Sequence, residues 1–267
     1  MCLVVIAYRV HPDFPLVIIS NRDEFFERPT DPLHLWESNP KIIAGKDLKA
    51  GGTWLGASAF CKVAFLTNVR NFKKPPHPKP KSRGNLVLDF LKSSQSFSSE
   101  QYREEALKKA PDYEGFNLFV FDGKVAGYVG GDPLQSQILE PGFHAVSNAN
   151  WNTVWPKTEK LKLGVKQVFD SFPKDQNWAS QVASEFFRLL SDSDLVKEDS
   201  LLPDTGIGLD KERYLSSIRI RVPGYGTRAS TLVFYGKKNV EIIERTFSDP
   251  LSNEFTERRE VLEFSES

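Results

Sequence analysis

Two apolar runs near the start of the chain, Leu3-Val4-Val5-Ile6-Ala7 and Leu16-Val17-Ile18-Ile19-Ser20, constrain the fold more than any other feature. Both are rich in β-branched residues and read as buried strands. Between them lies His11-Pro12-Asp13-Phe14-Pro15, a turn signal. The two runs therefore pair as a hairpin. A turn centred near Pro12-Asp13 brings the end of the second strand back to the start of the first. That register sets Cys2 beside Asn21-Arg22-Asp23-Glu24, where the apolar run gives way abruptly to polar residues. Side chains alternate along a strand, so Asn21 and Asp23 share one face and Arg22 and Glu24 the other.

Cys2 has two readings. If Met1 is removed, the thiol sits on the N-terminal residue, and its own α-amine, with a pKa of about 8, can act as the base that activates it. Cysteine is equally a small residue suited to the start of a buried strand.

With 267 residues the chain is long enough for one large domain, and no composition break divides 1–267. Lys+Arg and Asp+Glu are both 35, so no global positive field argues for nucleic acid. Two cysteines, Cys2 and Cys61, give neither a disulfide framework nor metal-ligand spacing. The histidines, His11, His34, His77 and His144, are scattered, so no metal site is expected. No apolar run approaches the roughly 20 residues that span a membrane, and no secretory signal or Arg-rich transit peptide is visible. A cytoplasmic protein is expected.

Further hairpins are predicted over 52–57 with 62–69 and over 116–121 with 124–129, the second turning at Asp122-Gly123. Helices are predicted over 85–91, 99–109, 156–169 and 178–190, with Ser98 or Ser99 capping the second and Pro156 opening the third. Ser147-Asn148 follows a strand at His144-Ala145-Val146. Residues 191–204 read as an acidic linker, and strands over 218–220, 229–235, 240–243 and 261–264 close the chain. The segment 73–83, with four prolines among lysines and Arg83, reads as an exposed basic loop suited to meet an anionic ligand. Strands, then helices, then strands fit a layered α+β fold.

Several segments recur in an order that points to a family. They are Asn21-Arg22-Asp23-Glu24 with Phe25 and Arg28-Pro29-Thr30, Gly51-Gly52-Thr53-Trp54-Leu55-Gly56, Leu66-Thr67-Asn68 and Gly115-Phe116-Asn117-Leu118. Ser147-Asn148, Trp155-Pro156-Lys157, Leu202-Pro203-Asp204 and Tyr225-Gly226-Thr227-Arg228 follow. The chain resembles the NRDE proteins, homologues of transport and Golgi organisation protein two. The resemblance implies an α+β fold of the N-terminal-nucleophile hydrolase type, a four-layer αββα sandwich. It also implies a link to haem trafficking and lipid homeostasis, and it allows a mitochondrial location.

Penicillin and bile-salt acylases of that fold carry an N-terminal cysteine. Asn68 and Asn148 resemble the asparagines that flank it, able to stabilise an oxyanion, and Arg228 resembles the arginine near the thiol. In those enzymes an arginine and an aspartate on the second strand are spaced so that both reach the nucleophile. Here Arg22 and Asp23 are adjacent and diverge, which favours Asp23 beside the Cys2 amine over Arg22 in the same pocket. The expected catalytic set is thus Cys2, Asp23, Asn68, Asn148 and Arg228. The expected ligand-binding set is Asn21, Arg22, Asp23 and Glu24, with Trp151 and Trp155 as pocket walls. Cys2 and His144 are the candidate axial ligands for haem. Two functions follow from the resemblance: binding or transfer of an amphipathic anion such as haem or acyl-coenzyme A, or amide or thioester hydrolysis at Cys2.

Overall fold

A computed structural model describes residues 2–175 and 177–265. The opening hairpin forms as its sequence requires: β1 (Cys2–Tyr8) and β2 (Leu16–Phe25) pair antiparallel, Cys2 opposite Arg22. Both strands are buried along nearly their whole length because layers cover them above and below.

One sheet places β10 (Gly142–Val146), β1, β2, β12 (Tyr225–Tyr235), β13 (Asn239–Thr246) and β14 (Thr256–Glu263) side by side, with the short β11 (Arg221–Val222) beside β12. The other runs in chain order through β3 (Thr30–Trp36), β4 (Ile42–Asp47), β5 (Leu55–Ser58), β6 (Lys62–Asn68), β7 (Phe116–Phe121), β8 (Ala126–Gly131) and β9 (Leu134–Ile138). All these pairings are antiparallel.

Alternation along the strands divides the core into three. Cys2, Val4, Ile6, Phe65, Phe119 and Val233 fill the space between the sheets. Leu3, Val5, Val17 and Leu232 face α3 (Pro156–Ser171) and α4 (Trp178–Leu190) on one outer side. Ile42, Ala64 and Leu118 face α1 (Gly84–Lys92) and α2 (Ser99–Lys109) on the other. The result is the expected four-layer αββα sandwich. Among the described residues, no helix is long and apolar enough to cross a membrane.

The structure departs from the sequence expectation in places. β3, β4, β9 and the short α5 (Leu209–Tyr214) were not anticipated. β3 holds Pro32 and an irregular register between Asp31 and His34, and β9 is an exposed edge, so neither carries a clear apolar alternation. The strand expected over 218–220 is instead buried irregular chain before β11.

Candidate functional site

The ends of β2, β6 and β10 and the starts of β1 and β12 lie together at one end of the sandwich. Residues opposite each other in an antiparallel pair share a face, so Arg22 lies on the thiol's side, between the sheets. Its guanidinium sits 4.1 Å from the Trp54 ring centroid. Trp54 can lie there because β4 carries Gly45, where a Cβ would stand 2.3 Å from the indole. Arg22 and Asp23 diverge as expected: Arg22 shares the face of the Cys2 thiol, while the Asp23 side chain points to the helical side.

On that helical side, Asn21 is wholly engaged. Its amide donates to the carbonyls of Leu190 at 2.8 Å and Ile218 at 3.0 Å, and its Oδ1 accepts from Ser230 Oγ at 2.6 Å. Leu190 ends α4, so Asn21 satisfies a carbonyl that the helix leaves open. Asp23 Oδ1 accepts from Thr227 Oγ1 at 2.7 Å. Burial pushes the Asp23 carboxyl up, opposed in part by the charges of Lys157 and Arg22.

Lys157 is buried at the start of α3 and donates to Leu215 O at 2.9 Å. Burial pulls its ammonium down to about 8, against the pull of Asp23. Beside it, Arg70 and Glu212 form an ion pair of 2.6 Å, both side chains under 5% exposed at 4% and 3%. Glu212 also accepts from Thr205 N and Oγ1 at 3.0 and 2.6 Å. The cavity against Arg70, Trp155, Lys157 and Glu212 is only about 10 Å³, room for about one water.

Asn148 and Asn68 meet: Asn148 Nδ2 donates to Asn68 O at 2.9 Å. Ser147 Oγ donates to Cys2 O at 3.0 Å, and Thr67 Oγ1 donates to Ser147 O at 2.6 Å. These bonds staple β6 of one sheet to β1 and β10 of the other. One of the two Asn148 amide protons is thus held by a backbone carbonyl.

The thiol is set in a buried, charged corner. Burial pushes the Cys2 thiol up; Asp23 and Glu24 add to this and Arg22 opposes it. Arg83, held down by burial, is within electrostatic reach of Cys2 and Glu24 and donates to Gly115 O at 2.9 Å. Glu24 accepts from the Phe25 amide at 2.9 Å.

The remaining expected residues make other contacts. Arg228 is the extra residue of a bulge in β12, and its Nη1 donates to Phe26 O at 3.2 Å and Arg28 O at 2.6 Å, tying down the β2–β3 loop. Trp151 lies against Tyr128, ring centroids 4.7 Å apart and planes tilted by 33°, on the inter-sheet side. Trp155 lies on the helical side, with the Arg70 guanidinium 5.4 Å from its ring centroid. His144 has one ring nitrogen 2.8 Å from Glu140 O and the other 3.2 Å from Asn152 Nδ2. The basic loop is exposed, and Lys73, Lys74 and Lys81 pair with Asp204, Asp132 and Asp112.

The profile of the Transport and Golgi organisation 2 family matches residues 1–249. The chain belongs to this family. Its human homologue is 31% identical over 277 residues, covering 93% of this chain and 94% of the relative. The bovine homologue is 30% identical over 282 residues, covering 96% and 97%. The Drosophila melanogaster protein is 27% identical over 273 residues, covering 93% of each. Among solved structures, a penicillin V acylase from Agrobacterium tumefaciens superposes with a TM-score of 0.48 at 12% identity, over 90% of this chain and 82% of that one. A mutant conjugated bile acid hydrolase from Clostridium perfringens gives 0.49 at 10% identity, over 100% and 99%.

In this Transport and Golgi organisation 2 chain, Lys157, Arg70, Glu212 and Thr227 complete the polar cluster that sequence reasoning only partly assembled. A signal for Lys157 was present. It precedes Leu161, Val165 and Val168 on the buried stripe of α3, where a lysine is out of place unless a partner or a task holds it. Glu212 had no such signal, because α5 is a short polar helix.

Proposed function

We propose that this chain binds an amphipathic anion at the Cys2 end of the sandwich and transfers it, haem and acyl-coenzyme A being the leading ligands. The observation that carries this reading is Arg22. It is 6% exposed and lies over Trp54 on the thiol's face; Asp23 and Glu244 feel its charge, but no ion pair to it is formed by the described residues. Buried charges are ordinarily paired directly, and a ligand's carboxylate or phosphate would supply such a partner. Arg83 and Arg228 add positive charge nearby, since Arg83 feels Cys2 and Arg228 feels Arg22. Phe25, which ends β2 and is 55% exposed, offers apolar surface at the same end. Both cysteines are free, as suits the reducing cytoplasm in which we place the protein. Spectral titration with haem and calorimetry with acyl-coenzyme A test the reading. Saturable binding of at least one is expected, and no saturable binding of either overturns it.

A second reading is an amidase or thioesterase with Cys2 as nucleophile. It is favoured by the convergence of Cys2, Asn68 and Asn148 through Ser147. Met1, on whose removal the amine-as-base mechanism turns, lies outside the described residues. Intact mass of natively expressed protein decides whether Cys2 is N-terminal. Turnover of N-acyl substrates that is unchanged in Cys2→Ala would end this reading.

A further inference from the structure

The outer face of the first sheet is only partly roofed. Helix α3 packs on β1 and β10, and α4 packs on β2 and β12. Beside α4, over β13, a cleft of about 500 Å³ remains, within the range of roughly 300–1,000 Å³ typical of small-ligand sites. Arg219, Arg221 and Arg245 line it together with Phe187, Phe247 and Phe255.

The arginines are placed with care. The Arg219 guanidinium stacks 4.0 Å from the Phe247 ring centroid. That of Arg245 lies 4.0 Å from Phe187 and 4.4 Å from Phe255. Arg188 and Arg245 keep carboxylate partners, Glu185 and Glu257, at 2.8 and 2.7 Å. Arg219 and Arg221 have none among the described residues. Both donate to the same neutral acceptor, Asn253 Oδ1, at 3.3 and 2.9 Å, and Arg219 donates also to Ser252 O at 2.6 Å. Arg221 reaches the carbonyl of Leu251.

Arg219 is only 4% exposed, and its Nε has no hydrogen-bond partner among the described residues. Burial, with the neighbouring Arg221 charge, draws its guanidinium down to about 10, so it is still a cation at neutral pH. Two cations held side by side by neutral groups repel one another and lack a counter-charge. A guanidinium pair also presents forked donors that match a tetrahedral oxyanion.

We infer that this cleft is a binding site for a phosphorylated small molecule, its phosphoryl group received between Arg219 and Arg221 and its carbon frame laid against Phe247 and Phe255. The site is separate from the Cys2 end, because Cys2 faces the space between the sheets and the cleft opens on the helical side.

The test is calorimetric titration of the full chain with inorganic pyrophosphate at low ionic strength. Saturable binding is expected in the native chain and in Lys237→Gln, a charge change at an exposed position elsewhere. Arg221→Gln, which changes a half-buried side chain, should weaken binding tenfold or more, and Arg219→Gln should do the same if it folds. Absence of saturable binding, or equal binding by Arg221→Gln, would overturn the inference. Glucose 6-phosphate and vesicles containing phosphatidate separate the two sources of a phosphoryl group. Competition with pyrophosphate by the first assigns a soluble metabolite, and by the second a lipid headgroup.

Discussion

At the scale of single residues, the telling feature is a lysine where the helix pattern calls for an apolar side chain. Lys157 titrates at about 8 when folded, well below an ordinary lysine, because burial penalises its charge. Between about pH 8 and the unfolded value of roughly 10.4, the unfolded chain therefore holds more protons at this site than the folded one. Stability contributed by the site rises with pH across that window. The prediction is that the native chain gains stability relative to Lys157→Met between pH 8 and pH 10, read as denaturation midpoints of both. A difference that stays flat would show that Lys157 is not desolvated. Asn117 offers a second test. It is fully buried, donates to Thr67 Oγ1 and Ala149 O at 3.0 and 2.8 Å, and accepts from Tyr128 at 2.7 Å. Asn117→Ala strands these groups and should cost about 1–3 kcal/mol in chemical denaturation. Much of the site was legible at this scale. Polar residues interrupting an apolar strand marked Asn21 through Glu24, and turn geometry brought them to Cys2. The divergence of Arg22 and Asp23 followed from strand alternation, whereas the face that Arg22 shares with the thiol needed the register that sets it opposite Cys2.

At the scale of elements, local chemistry set most boundaries. Ser98 caps α2 as expected: its hydroxyl accepts from the Gln101 amide while the Gln101 side chain accepts from the Ser98 amide. Ser98→Ala should cost about 0.5–2 kcal/mol in thermal or chemical unfolding; a neutral effect would deny the cap. The Asp122-Gly123 turn was equally plain, since Asp122 Oδ1 accepts from the Lys124 and Val125 amides at 3.0 and 2.8 Å and Gly123 adopts φ 85°. β3 and α5 were not legible, because their positions are fixed by what packs on them rather than by their own pattern. Gly45 shows how an element shapes the site. Gly45→Ala would drive a methyl into Trp54 and move it from under Arg22. The expected readout is a shifted tryptophan emission and weaker anion binding; an unchanged spectrum and affinity would show that the stack is dispensable.

At the scale of the whole molecule, two sheets are joined by an apolar core along their length and by a polar staple at one end. Phe65 and Phe119 stack at 5.0 Å within that core, both essentially unexposed. Phe119→Ala should lower stability by about 3–5 kcal/mol, measured as loss in urea unfolding. The αββα layering followed from the sequence because each strand's alternation specifies two faces that must both be covered. The ligand did not follow, because affinity resides in the direction of a few cations. The central claim is that Arg22 meets the charged end of an amphipathic anion. Calorimetry with palmitoyl-coenzyme A on the native chain and on Arg22→Gln tests it most directly. The account predicts saturable binding that weakens at least tenfold in the variant and falls with added salt. Equal affinity in both proteins would contradict it.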